Sequence, residues 1–166
     1  VFRDLMSGEE TRFEDVTNYY FTNDGSWLVY TASNEDGTAD GVYAVRTSSA
    51  EATPILTGEG EYAALALADS SDQVAFLTNR DDWEADEPAH TLYHAVLGGG
   101  EARAVATEGT PGVPEGWWVP DNAQPRFSDN GSRILFGTAP RPPAEDEEEE
   151  IPEDDAGRQA AQQNWT

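Results

Sequence analysis

The pattern of apolar and polar positions repeats along this chain. Phe21-Thr22-Asn23-Asp24-Gly25-Ser26-Trp27-Leu28-Val29-Tyr30 returns as Phe127-Ser128-Asp129-Asn130-Gly131-Ser132-Arg133-Ile134-Leu135-Phe136. A degenerate copy, Leu67-Ala68-Asp69-Ser70-Ser71-Asp72-Gln73-Val74-Ala75-Phe76, lies between them. Each copy is an apolar residue, a polar turn, then a short apolar run. Asp-Gly and Asn-Gly tolerate the positive φ of tight turns, so each copy predicts a β-hairpin. The apolar runs do not alternate, which predicts strands buried on both faces between stacked sheets.

The remaining strands follow the same plan. Val1 to Leu5 and Glu10 to Phe13 read as short strands around a Ser7-Gly8-Glu9 turn. Asp15 to Phe21 opens a full unit that continues through Ser26–Ala32, Gly41–Arg46 and Pro54–Thr57. The next unit runs through Tyr62–Ala68, Gln73–Thr78, His90–Leu97 and Glu101–Thr107, with a long acidic loop from Asn79 to Ala89. Tyr43 and Tyr93 are 50 residues apart, as are Thr57 and Thr107, while the first two turns are 46 apart. Four strands per about 40–50 residues is the period of a β-propeller blade.

The predicted fold is therefore all-β: a partial β-propeller of about two complete four-stranded antiparallel blades plus two half-blades. Residues 1–15 end one blade, 16–60 and 61–110 are whole blades, and 111–143 are a loop and the start of a further blade. The loop from Gly109 to Pro120 reads as irregular, and the prolines after Ala139 are expected to end regular structure. Residues 144–166 read as an acidic disordered linker, self-repelling from Glu145 to Glu150 and acidic again at Glu153 to Asp155, followed by an unassigned tail from Ala156. The chain opens at Val1 without an initiator Met and is read as a processed or truncated piece of a larger propeller, or one completed by association.

Composition narrows the partners. The 33 acidic residues face 9 basic ones, all Arg, for a formal charge of -24. That charge repels nucleic acid and anionic membrane surfaces. No apolar run reaches the roughly 20 residues of a membrane-spanning helix. There is no Cys, hence no disulfide framework or thiolate chemistry.

The repeat, with Val42-Tyr43-Ala44-Val45 and Leu56-Thr57 after its hairpin, resembles the WD-like propeller repeat of Tol-type periplasmic proteins and of prolyl oligopeptidase-family serine peptidases. More specific strings resemble the peptidases: Arg3-Asp4-Leu5, Gly8-Glu9-Glu10, Phe13-Glu14-Asp15-Val16-Thr17, Phe76-Leu77-Thr78-Asn79-Arg80-Asp81-Asp82, Pro114-Glu115-Gly116-Trp117-Trp118-Val119 and Phe136-Gly137-Thr138-Ala139-Pro140-Arg141-Pro142. The resemblance spans Val1 to about Asp155. It implies a propeller that admits small peptide substrates and docks on an α/β-hydrolase domain carrying a Ser-Asp-His triad, in a periplasmic or secreted setting, with a cytoplasmic one left open. The chain lacks the Gly-x-Ser-x-Gly elbow that such a nucleophile requires. It is thus expected to be non-catalytic itself, without metal or cofactor. A stand-alone propeller scaffold for protein–protein contacts, self-association included, is the alternative.

Few residues single themselves out as a site. Trp117 and Trp118, adjacent in a Gly- and Pro-rich stretch, suit a peptide-contacting or interdomain surface, since aromatic residues dominate such hot spots; covering the open end of a blade is the competing reading. His90 and His94, four apart on one strand, read as structural rather than as zinc ligands. Asn34 to Asp40 is rich in oxygen ligands but misses the calcium-loop register, and reads as a turn. Trp27, Tyr43, Phe76 and Tyr93 are expected in the core between blades.

Overall fold

A computed structural model describes residues 1–142 of the chain. The acidic run and the tail expected to be linker lie outside the described residues. The fold is an all-β, partial β-propeller built from two four-stranded antiparallel sheets with a smaller hairpin unit at each end.

The first sheet is the meander β3 (Val16–Phe21), β4 (Trp27–Ala32), β5 (Gly41–Arg46) and β6 (Glu51–Thr57), paired in that order. The second is β7 (Tyr62–Leu67), β8 (Gln73–Thr78), β9 (Thr91–Val96) and β10 (Arg103–Ala106). Upstream, β1 (Phe2–Arg3) pairs with β2 (Glu10–Thr11). Downstream, β11 (Trp117–Trp118) pairs with β14 (Ala139–Pro140), and β12 (Arg126–Phe127) with β13 (Ile134–Leu135). These two pairs form one long hairpin whose first arm loops out between Val119 and Pro125.

The turns explain why the hairpins form where they do. In the first, the Asp24 carboxylate accepts from the Ser26 amide and from the Thr22 and Ser26 hydroxyls, while Gly25 takes φ 70°. In the last, Asn130 Oδ1 accepts from the Ser132 amide and from the Ser128 and Ser132 hydroxyls, and Gly131 takes φ 66°. The sequence repeat is thus a repeat of side-chain-closed turns.

Packing follows from alternation along the strands. One face of the first sheet (Trp27, Val29, Val42, Ala44) meets Val74, Phe76, Tyr93 and Ala95 of the second in a single core. The far face of the second sheet (Ala75, Leu77, Leu92, Ala106) packs on Val119, Ala123, Phe127 and Ile134. The far face of the first (Leu28, Tyr30, Val45) meets Phe2, Phe13 and Tyr43. β4 is buried at every residue, as the non-alternating run predicted. Each large apolar side chain so buried contributes about 1.5–3 kcal/mol. Neighbouring units are also tied turn to turn: Asn23 Nδ2 donates to Asp69 O at 3.2 Å, and Ser70 Oγ to Asp129 O at 2.6 Å.

The structure corrects several expectations. The first two strands are only two residues each, not the longer runs the apolar residues suggested, and Leu5 and Met6 are exposed in the turn between them. Trp117 and Trp118 lie in a strand rather than an irregular loop, and regular structure continues through Ala139–Pro140. Pro140 is accommodated because β14 lies at the margin of a two-stranded ladder, where a missing N–H is tolerated. The third apolar run is not buried on both faces, since Leu135 is 74% exposed. Tyr43, expected between blades, packs with Phe2 and Phe13 between the first sheet and the upstream β1–β2 unit, stacked on Tyr30 at 5.1 Å.

Candidate functional site

The two tryptophans sit where the downstream hairpin meets the acidic loop. Both are half-buried. Arg141 lies over the Trp118 ring, 5.5 Å from its centroid. Its guanidinium donates to Glu108 Oε2 at 3.0 Å and to the Glu87 carbonyl at 2.7 Å, with the Glu87 carboxylate 3.7 Å away. The Arg141 amide closes back on Gly116 O. Trp118 is thus clamped beneath a cation that ties together the Asn79–Ala89 loop, the turn after β10 and the end of the hairpin. A cation held over an indole face is attracted by the ring quadrupole, and this clamp leaves only part of the Trp pair open to a partner.

His90 lies next to this clamp, bridging to Val119 just before β9 begins. It is 6% exposed, and neither ring nitrogen has a hydrogen-bond partner. Nε2 is 4.0 Å from Glu61 Oε2. Burial holds its pKa below the ordinary value, against the opposite pull of Asp121 and Glu61. His94 is engaged elsewhere, through Nε2 to Gln73 Oε1 at 2.8 Å. Four residues of extended chain separate the two imidazoles by roughly 13 Å, too far for a shared metal ion. Among the described residues no group of three or more His, Asp or Glu side chains could hold one.

The polar groups that the sequence left without roles join the sheets. Arg80 donates to Thr57 O across the first joint at 3.1 Å and to Asp81 Oδ1 through Nε and Nη2 at 3.1 and 2.8 Å. Tyr93 Oη donates to the other Asp81 oxygen. Burial opposes both charges, but the mutual bonds prevail, raising the Arg80 pKa and lowering that of Asp81. Burial first, and then Asp81, raises Tyr93. Asp40, 5% exposed, accepts from the Asn34 and Gly60 amides. Asn34 Oδ1 accepts from Ala39. The side-chain oxygens of Asn34 and Asp40 are therefore bound to the loop's own backbone and to the joint, as a turn requires. The Arg80–Asp81–Tyr93 cluster was not legible beforehand, because it depends on Gly58 and Gly60 letting the chain pass close beneath Arg80.

Among the described residues no Ser or Thr hydroxyl is hydrogen-bonded to either imidazole, so no nucleophile–base pair is assembled. The fold and its joints define an all-β partial propeller. Neither family models nor curated proteins provide a match to the chain.

Proposed function

We propose that this chain is the non-catalytic propeller portion of a prolyl oligopeptidase-like serine peptidase, which gates peptide substrates and docks to an α/β-hydrolase domain. The observation that carries the reading is the stack itself. Two consecutive four-stranded meanders and the downstream hairpin are joined turn to turn, and the strings that resemble that family's propellers run through and beside these units. The Trp117–Trp118 pair beside the Arg141 clamp is the surface offered to the hydrolase domain or to peptide. Its role would be binding and exclusion, with the acyl-transfer groups lying elsewhere in the parent protein.

The test is labelling of the full parent protein with a serine-directed fluorophosphonate. A labelled band that contains this segment, from a reading frame encoding Gly-x-Ser-x-Gly, is expected. A parent without that elbow, or one that stays unlabelled when folded, overturns the reading.

A second reading, a propeller scaffold for protein–protein contacts, is favoured by one observation. The edge strand of the first sheet, β3, leaves Tyr19, Tyr20 and Phe21 exposed. Such a surface is suited to a partner rather than to solvent.

A further inference from the structure

The chain has two histidines, and the fold brings both to the joint between the second sheet and the downstream hairpin. His90 makes the isolated backbone bridge to Val119, which is fully buried. The His94 ring packs on Phe127 at 6.1 Å. Its Nε2 is hydrogen-bonded to Gln73 Oε1, and Gln73 Nε2 donates to Gly131 O of the last turn at 3.2 Å. The joint between the two whole sheets is built differently. Arg80, Asp81 and Tyr93 hold it, and none of them changes charge near neutral pH, since Arg80 and Tyr93 are raised and Asp81 is lowered from their ordinary values. Carboxylates ordinarily titrate near pH ~4 and histidine near ~6.5, so between about pH 7 and about pH 5 the imidazoles are the side chains that switch charge.

Of the two, His90 is seated for a neutral ring. It is 6% exposed, and neither ring nitrogen has a hydrogen-bond partner. A protonated imidazole carries two N–H donors, and a buried charge without hydrogen bonds is among the costliest groups a fold can hold. Two carboxylates face it: Glu61 at the entry to β7, and Asp121 in the loop after β11. Glu61 Oε2 stands 4.0 Å from Nε2, beyond hydrogen-bond reach. The Glu61 side chain is 67% exposed, so a charged ring completes a bond to it by leaving the buried seat for the surface. His94 has no such outlet. Arg103 stands opposite it in register on β10, and Arg133 lines the cavity beside it. Burial, and then Arg103, hold its pKa below the ordinary value.

We propose that His90 is a proton-operated latch on the joint between the second sheet and the downstream hairpin. With a neutral ring the hairpin is seated on the sheet. With a charged ring the imidazole moves out to Glu61, the Val119 bridge is lost and the hairpin loosens. Arg141 ties the same two units through Glu87 and Glu108, so the loosened hairpin stays tethered.

The direction of the response follows from burial, which holds the His90 pKa below its ordinary value of 6.5 against the pull of Asp121 and Glu61. The opened form therefore binds the proton more readily than the closed one. The closed joint is fully favoured above pH 6.5 and is lost progressively as the pH falls from there through the lower value of the seated ring. The latch rests on the fold alone, so its failure would leave the peptidase reading untouched, and the failure of that reading would leave the latch standing.

The test is amide hydrogen exchange of the chain at about pH 7 and about pH 5.5, corrected for the intrinsic rate. Exchange at Val119 and through β12–β13 should rise about fivefold to tenfold at the lower pH, while β4 and β5 change by less than about twofold. His90→Leu should abolish the rise, and His94→Gln should keep it. Should His90→Leu fail to fold, His90→Gln, which takes up no proton either, should lose the rise in the same way. No rise in the unmodified chain, or a rise equal in the first sheet, overturns the proposal. So does a rise that survives either His90 variant, or one that His94→Gln abolishes.

Discussion

The strands β3 and β7 hold the same place in consecutive sheets and differ in what lies beside them. β7 runs between the first sheet and the downstream hairpin, and all six of its residues are at least partly buried. β3 is an edge strand paired only with β4, no residue of it enters the core between the two sheets, and all six of its residues are exposed. Their compositions run against this outcome: β7 is mostly Ala and Leu, while β3 carries Tyr19, Tyr20 and Phe21. Both strands are bulged. The β7 bulge has Ala64 at φ 52°, and the carbonyls of Ala64 and Leu65 accept from Gln124 of the next unit at 3.3 and 3.4 Å. At the β3 bulge Thr17 bonds only to Thr31 of its own sheet. Burial here is decided by the neighbouring unit, not by the strand's own apolar content.

The sharpest way to break the comparison is to truncate one aromatic on each side of it. Phe76 is fully buried between the sheets, stacked on Tyr93 at 5.9 Å. Phe76→Ala should cost about 3–5 kcal/mol. Phe21→Ala, on the open flank, should stay within about 1 kcal/mol, since surface substitutions rarely exceed that. Urea unfolding of the two variants measures both. Equal losses would mean that the β3 flank is covered in solution.

The joint between the sheets gives the next effect. Gly60 adopts φ 151°, and a Cβ there would stand 2.9 Å from Arg80 Cα. Gly60→Ala should destabilise by about 1–3 kcal/mol. It should also loosen the Arg80 bond to Thr57 O, read as faster hydrogen exchange in β6 and β7 than in β3 and β4. Uniform acceleration across both sheets would mean that the joint has no local role.

Much of this architecture was legible because hairpin turns have a chemical signature. Asn23-Asp24-Gly25 and Asn130-Gly131 gave the registers, and the run Trp27–Ala32 gave a strand buried on both faces. Other features depended on neighbours that no local pattern encodes. The exposure of β3 and of Leu135 follows from what lies beside them in space. The pairing of Trp117 with Pro140 joins residues on either side of a whole hairpin, where a double proline suggested the opposite. The Arg141 clamp over Trp118 required Glu87 and Glu108, from two separate loops, to converge on one guanidinium. The buried, unpartnered His90 follows from its bridge to Val119, which sequence spacing does not reveal.

The smallest effect separates turns of the same design. The Asp24 carboxylate is held at about 2, chiefly by the Ser26 amide and then by the Thr22 and Ser26 hydroxyls. A depressed carboxylate pKa stabilises the fold above its unfolded value of 3.8, and that stability is lost as the pH falls through this value toward about 2. The last turn makes the same three bonds with Asn130, which does not titrate. Asp24→Asn should therefore keep the turn, change stability little at neutral pH, and flatten the part of the acid limb between about pH 4 and 2 relative to the unmodified chain. Urea midpoints along that limb make the comparison. An Asp24→Asn chain whose midpoint falls as steeply as the parent's would mean that the carboxylate bonds of the first turn contribute nothing to the fold, and that the resemblance between the two turns is geometric only.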